Sequence, residues 1–160
     1  MAKGRKTNAI RILDTKKIEY KIHTYESNDG KIDGLSVAQK AGLNPKKVYK
    51  TLIAKGNNKD IFVFVIPVEE ELDLKKCANV AEVKKVKMIP VKDIQKHTGY
   101  IRGGCSPIGM KKSYPTFIDN QASNLDSIIV SAGKIGMQVE LTIDDLRTST
   151  EGKLVAIIKE

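Results

Sequence analysis

Gly99-Tyr100-Ile101-Arg102-Gly103-Gly104-Cys105-Ser106-Pro107-Ile108-Gly109 is the most informative stretch of this 160-residue chain. Four glycines, a proline and a serine in eleven residues exclude the interior of a helix or strand. Glycine admits positive φ and close approach by another molecule, while proline fixes its own φ and restrains Ser106 before it. Such a loop can aim bare N–H groups at a ligand. A tight connecting turn has the same composition.

The flanking segments alternate between helical and strand patterns. Residues 7–16 have a helical period, with Ala9, Ile12 and Leu13 on one face, and residues 20–25 alternate like a strand. Residues 27–34 form a polar loop. Ser36 and Gln39 have capping-box spacing for a short helix that Gly42 can close, and Asn44-Pro45 is a further turn or helix start. Residues 48–54 and 61–67 make a predicted hairpin across residues 55–59; the second run is apolar throughout and so buried on both faces. Asp73 can cap a helix with Leu74, Cys77, Ala78 and Ala81 on one stripe. Residues 83–89 read as a basic strand and residues 91–98 as a short helix stopped by Gly99. Strands follow at 115–119, 127–131 and 137–141, then a helix near 143–147 and a last strand at 154–158. Helices and strands mix without a βαβ rhythm. The predicted fold is one α+β domain over residues 1–160, built on a curved, barrel-like sheet of mixed or antiparallel strands.

Hydrophobic residues make up 41% of the chain, enough for a packed interior. No apolar run nears the ~18 residues of a membrane span, and basic residues 1–7 lack the apolar stretch of a secretory signal. The chain reads as cytoplasmic. Cys77 and Cys105, with His23 and His97, match no zinc spacing and make no disulfide scaffold, so no metal or other cofactor is expected. The net charge is +9, and residues 75–112 hold ten bases against two acids, a local charge of +8. A basic surface beside a candidate site suits a polyanion such as a nucleic-acid backbone; a solvated face that aids solubility carries the same charge.

Lys50 is the first candidate for chemistry. Strand alternation puts it on one face with Val48 and Leu52, with Tyr49 and Thr51 opposite. A lysine among apolar neighbours either lines a cavity or lays its stem on apolar surface with its head in water. Cys105 is a candidate nucleophile if His97 reaches it as a base. Cys77 falls on an apolar helix stripe and belongs to the core. His23 and Tyr25 share a strand face. Ser131-Ala132-Gly133-Lys134-Ile135-Gly136 is a second glycine-bearing turn, either a plain hairpin loop or a second pocket wall. Asp119 is a polar group at a strand end. No Ser-His-Asp spacing, P-loop or dinucleotide fingerprint is present.

Taken together, these segments resemble the YbaK/EbsC family of aminoacyl-tRNA deacylases, which also occurs as the editing insertion of bacterial prolyl-tRNA synthetases. The matching residues are His23-Thr24-Tyr25, the segment 38–42, Val48-Tyr49-Lys50-Thr51-Leu52, Leu72 to Ala78, Val83 to Met88, the loop 99–109 and the turn 131–136. The likeness runs from about Thr7 to Leu146, and the form most similar is the free-standing Cys-tRNA(Pro) deacylase. The resemblance implies that Lys50 is the residue most tied to activity. It implies a substrate-binding set of Tyr25, Gly103, Gly104, Ser106, Pro107, Ser131, Gly133 and Asp119, with Gly103 and Gly104 offering backbone groups to the ester. The position of Cys105 varies in the family, which argues against a nucleophilic role. Ala132 departs from the more usual glycine of the second turn.

The implied reaction releases an amino acid from the terminal ribose of tRNA(Pro), with the substrate's own cysteine thiol as nucleophile. Lys50 would hold a phosphate or ribose oxygen, or the developing negative charge, and the basic segment would hold phosphates of the acceptor stem. Prolyl-tRNA synthetase is a second candidate partner. Competing readings are a deacylase for another amino acid such as alanine, a non-catalytic module that binds tRNA or a synthetase, and a cysteine-based hydrolase.

Overall fold

A computed structural model describes residues 6–31 and 34–160. The basic residues 1–5 and residues 32–33 of the expected 27–34 loop lie outside it. The centre of the fold is β3 (Ile61–Pro67), buried at every position. Its odd-numbered side chains Ile61, Val63 and Val65 join one core and its even-numbered Phe62, Phe64 and Ile66 join another. This double burial is what the unbroken apolar run predicts. Each such side chain taken out of water contributes about 1.5–3 kcal/mol.

β2 (Tyr49–Gly56) pairs antiparallel with β3, completing the predicted hairpin. A five-stranded sheet grows around them in the order β4-β2-β3-β5-β8, with β4 at Val86–Met88, β5 at Thr116–Asp119 and β8 at Lys153–Val155. The last two pairings are parallel, so this sheet is mixed. A second sheet is antiparallel in the order β1-β7-β6, with β1 at Lys21–Thr24, β6 at Ser127–Lys134 and β7 at Met137–Thr142. One core lies between the sheets and takes in Ala9 and Leu13 of α1 (Asn8–Thr15) and Leu146 of α5 (Ile143–Thr150). The other packs α3 (Leu74–Ala81) on the outer face of the larger sheet through Cys77 and Ala78. Asp73 caps α3 as expected, accepting from the N–H groups of Lys75 at 3.0 Å and Lys76 at 3.1 Å.

The α+β class holds, but the barrel-like single sheet does not. The two sheets meet through one isolated parallel bridge, Val48 to Ile129, and do not close. The reason is local. β4 covers only Ala54–Gly56, so the first half of β2 has an edge that no ladder fills. Several expected boundaries also move. Ser36 lies inside α2 (Gly34–Lys40) rather than at its cap. The basic strand shrinks from residues 83–89 to β4, and the last strand ends at Val155. β6 continues through Ser131 to Lys134 by way of a register shift, so the second glycine segment is mostly strand. α4 (Ile94–Thr98) ends at Gly99 with φ of +84°. No described helix is long and apolar enough to cross a membrane.

Candidate active site

The unfilled edge of β2 opens onto a cleft of about 170 Å³. Lys50, Thr51 and Leu52 of β2 form one wall, Ser131 and Gln138 of the smaller sheet another, and Arg102, Gly103 and Cys105 of the glycine-rich loop a third. Val37 of α2 and Val68 add apolar surface. Lys50 is half-buried, and among the described residues its side chain has no ion pair or hydrogen bond. An ammonium with no acid to hold it leaves its charge available to an anion.

Two further polar atoms in the walls lack partners. The Thr51 Oγ1 and Gln138 Oε1 atoms are buried without a hydrogen bond, and Gln138 is only 6% exposed. A buried polar atom left unsatisfied costs about 1–3 kcal/mol, a cost that a donor reaching either atom would remove. Sequence reasoning missed Gln138 and Arg102 as site residues, and it treated Thr51 only as part of a strand. Gln138 alternates with Met137 and Val139, which gives it the pattern of a solvent-facing position.

The glycine-rich loop is stapled rather than loose. The Tyr100 hydroxyl donates to the Ile108 carbonyl at 2.7 Å, and the buried Ser106 Oγ accepts from the Ile108 N–H at 3.2 Å. Gly103 has φ of +87°. A Cβ on Gly104 would fall 2.9 Å from backbone atoms of Lys134 and Ile135, so this glycine lets the loop lie against the β6–β7 turn. The Gly104 N–H donates to the Ile101 carbonyl at 3.0 Å, which leaves Gly103 rather than Gly104 as the amide source at the cleft.

Of the nine expected site residues, the fold brings Lys50, Gly103 and Ser131 to this cleft. The others do not line it. Tyr25 is buried with an orphaned hydroxyl of its own and is tied to Gly136 through its N–H. Pro107 lines a separate polar hollow of about 440 Å³. Gly133, with φ of +104°, packs against Tyr100 and Thr7. The Asp119 carboxylate accepts from the N–H groups of Gln121 at 3.1 Å and Ile157 at 3.3 Å, so it clamps two segments instead of facing the cleft.

Cys105 lines the cleft, and among the described residues no activating base accompanies it. Burial pushes its thiol up to about 11, only partly offset by a hydrogen bond with Thr98. At pH 7 that leaves roughly one thiolate in ten thousand. His97 has other neighbours: burial, then the Lys96 ammonium, lower its pKa. Among the described residues no group of three His, Cys, Asp or Glu side chains is placed to hold a metal ion.

Comparison with known proteins adds the lineage. Residues 35–149 match the model of the aminoacyl-tRNA editing domain. The chain is 44% identical over 152 residues to EbsC of Enterococcus faecalis, a candidate Cys-tRNA(Pro)/Cys-tRNA(Cys) deacylase, covering 95% of this chain and 93% of that one. It is 26% identical over 117 residues to the proline–tRNA ligase of Brachyspira hyodysenteriae, covering 67% of this chain and 20% of the ligase. A solved structure of a candidate trans-editing enzyme for prolyl-tRNA synthetase has the same fold, with a TM-score of 0.84 at 17% identity and 96% of both chains covered.

Proposed function

The chain belongs to the family of aminoacyl-tRNA editing domains, and on that premise we propose that it is a trans-editing deacylase that releases cysteine from mischarged Cys-tRNA(Pro). The observation that carries this reading is the convergence, in one small cleft, of an unpaired ammonium at Lys50 and orphaned acceptors on Thr51 and Gln138.

The cleft volume speaks to substrate size. A cavity of about 150 Å³ accommodates benzene, so a space of this order takes a small aminoacyl side chain and leaves the terminal adenosine outside. Orphaned acceptors suit donors on the substrate, and an aminoacyl ester brings an α-ammonium and a ribose hydroxyl. The ester carbonyl gains negative charge as it is attacked. The Lys50 ammonium and the Gly103 N–H are the groups suited to hold that charge.

No described side chain combines nucleophile and base here, and a cysteinyl ester carries its own thiol. Attack of that thiolate on its own carbonyl carbon forms a C–S bond and breaks the bond to the ribose oxygen, which takes up a proton. Water then opens the resulting thiolactone to free cysteine. The protein supplies orientation and charge stabilisation, which are the larger contributions in such reactions.

A panel of mischarged tRNAs tests the assignment. Cys-tRNA(Pro) should be deacylated well above the spontaneous rate, and a serine ester, which replaces sulfur by oxygen, should be turned over far more slowly. Equal rates for the two would remove the substrate thiol from the mechanism. Preference for Ala-tRNA(Pro) would instead make the chain an alanine editor.

A further inference from the structure

Lys55 of β2 stands directly opposite Lys87 of β4. Both side chains are exposed. Like charges facing each other across a ladder are destabilising, and among the described residues no acid pairs with either lysine. Among the described residues Lys55, Lys85, Lys87 and Lys112 make no ion pair. Lys55, Lys85 and Lys87 line a shallow hollow of about 260 Å³ floored by Val86 and Gly56. The cluster extends to the end of α4, where Lys55, Lys96 and Lys112 all bear on His97 against the single acid Asp93. A fold that tolerates this repulsion without an internal counter-charge is built to receive an external one.

The cluster also has a fixed relation to the cleft. Two chain segments run from one to the other. Along β2, Thr51 lines the cleft and Lys55, four residues on and of the same strand parity, lies about 13 Å away. Along the second path, α4 carries Lys96 and His97, and its continuation carries Arg102, Gly103 and Cys105 into the cleft wall.

We propose that the Lys55–Lys87 pair, with Lys85 and Lys112, is the docking surface for backbone phosphates of the RNA arm whose 3′ ester enters the cleft. This inference rests on the deacylase reading for its choice of partner. Phosphate contact positions an RNA without reading its bases, so the surface sets affinity and orientation and leaves amino-acid choice to the cleft.

The test compares the full chain with the Lys55→Glu/Lys87→Glu variant on two substrates, Cys-tRNA(Pro) and a cysteinyl ester of the trinucleotide CCA. For tRNA, KM should rise at least tenfold with kcat unchanged, and the slope of log KM on log salt should fall by about 2. The trinucleotide should react as with the parent chain. Lys55→Gln/Lys87→Gln, which removes the repulsion within the ladder, should weaken tRNA in the same direction and show that folding is intact. Lys17→Glu/Lys153→Glu makes the same change in net charge elsewhere, at two exposed lysines, and should leave KM within about twofold. The proposal is overturned if the distant pair costs as much as the central one. An unchanged tRNA KM also overturns it, as does equal damage to the trinucleotide. Fluorescence anisotropy with uncharged tRNA separates the two levels. If neither ester is cleaved but tRNA binding still depends on Lys55 and Lys87, the deacylase reading fails and the surface stands. If the variants lose binding to prolyl-tRNA synthetase and keep tRNA, a protein is the partner and the proposal falls.

Discussion

Ser131 stands directly opposite Gln138 across the β6–β7 ladder, and both line the cleft. The Ser131 Oγ accepts from the Gly133 N–H at 3.2 Å, while Gln138 Oε1 has nothing. Removal of an orphaned acceptor should therefore separate stability from function. Gln138→Met should hold or raise the stability of the free protein, by up to about 1 kcal/mol, and lower kcat/KM for the cysteinyl ester about tenfold or more. Urea unfolding and deacylation of the same preparation measure both. Thr51→Val, nearly isosteric, should behave in the same way.

Lys50 is the cation of the cleft that lies on a strand. Lys50→Ala should cut deacylation by about two to three orders of magnitude, the scale seen when one group that stabilises a developing oxyanion is lost. Its midpoint of urea unfolding should stay close to that of the parent chain, because no described partner is left behind. Full activity in Lys50→Ala would remove this residue from the chemistry.

Cys105 should be dispensable. Cys105→Ser should keep activity within about threefold, as no base accompanies the thiol. Because burial pushes that thiol up to about 11, alkylation by iodoacetamide should be slow at pH 7 and accelerate steeply above pH 9. Mass spectrometry of the alkylated chain distinguishes Cys105 from Cys77, which burial raises further, to about 12.

The two glycines of the central loop should fail for different reasons. Gly104→Ala drives a methyl group to within 2.9 Å of the Lys134–Ile135 backbone, which cannot withdraw as a side chain tip can. A loss of about 1–3 kcal/mol and displacement of the loop are expected. Gly103→Ala carries instead the strain of φ at +87°, about 1–2 kcal/mol. Thermal unfolding ranks the two, and kinetics shows whether the cleft survives.

Glu140 predicts an acid-sensitive brace across the smaller sheet, joining β7 to β6 and β1. Its carboxylate accepts a hydrogen bond from Ser127 Oγ and lies 2.8 Å from His23 Nε2. The Ser127 bond first, opposed by burial and aided by His23, holds its pKa below the usual 4.5. The folded form thus binds this proton less readily than the unfolded form. Its stabilisation is complete above about pH 4.5 and fades as pH falls through the lower folded value. Glu140→Gln should reduce stability at pH 7 and flatten the pH dependence of unfolding below pH 5, as read by urea midpoints across that range.

Much of the fold was legible locally. The apolar run 61–66 announced a strand buried on both faces, Asp73 announced a helix cap, and Gly99 announced the end of α4. These features depend on neighbours within a few residues. Closure of the sheet was not legible, because it depends on how far β4 extends along β2, and a basic segment with a strand pattern does not reveal where its pairing stops. The committed N–H of Gly104 was equally hidden, since its acceptor is set by the path of the loop.

The chain's own order of residues determined which segments are apolar, where glycine and proline interrupt them, and that Lys50 lies on a strand, because these are matters of short-range sterics and spacing. Tertiary structure alone decided which polar groups lose water. Gln138 has the pattern of an exposed residue and becomes buried because β1 pairs alongside it at His23 and because the unfilled edge of β2 faces it across the cleft. Burial of that kind is set by partners more than eighty residues away in the chain, and no local pattern encodes it.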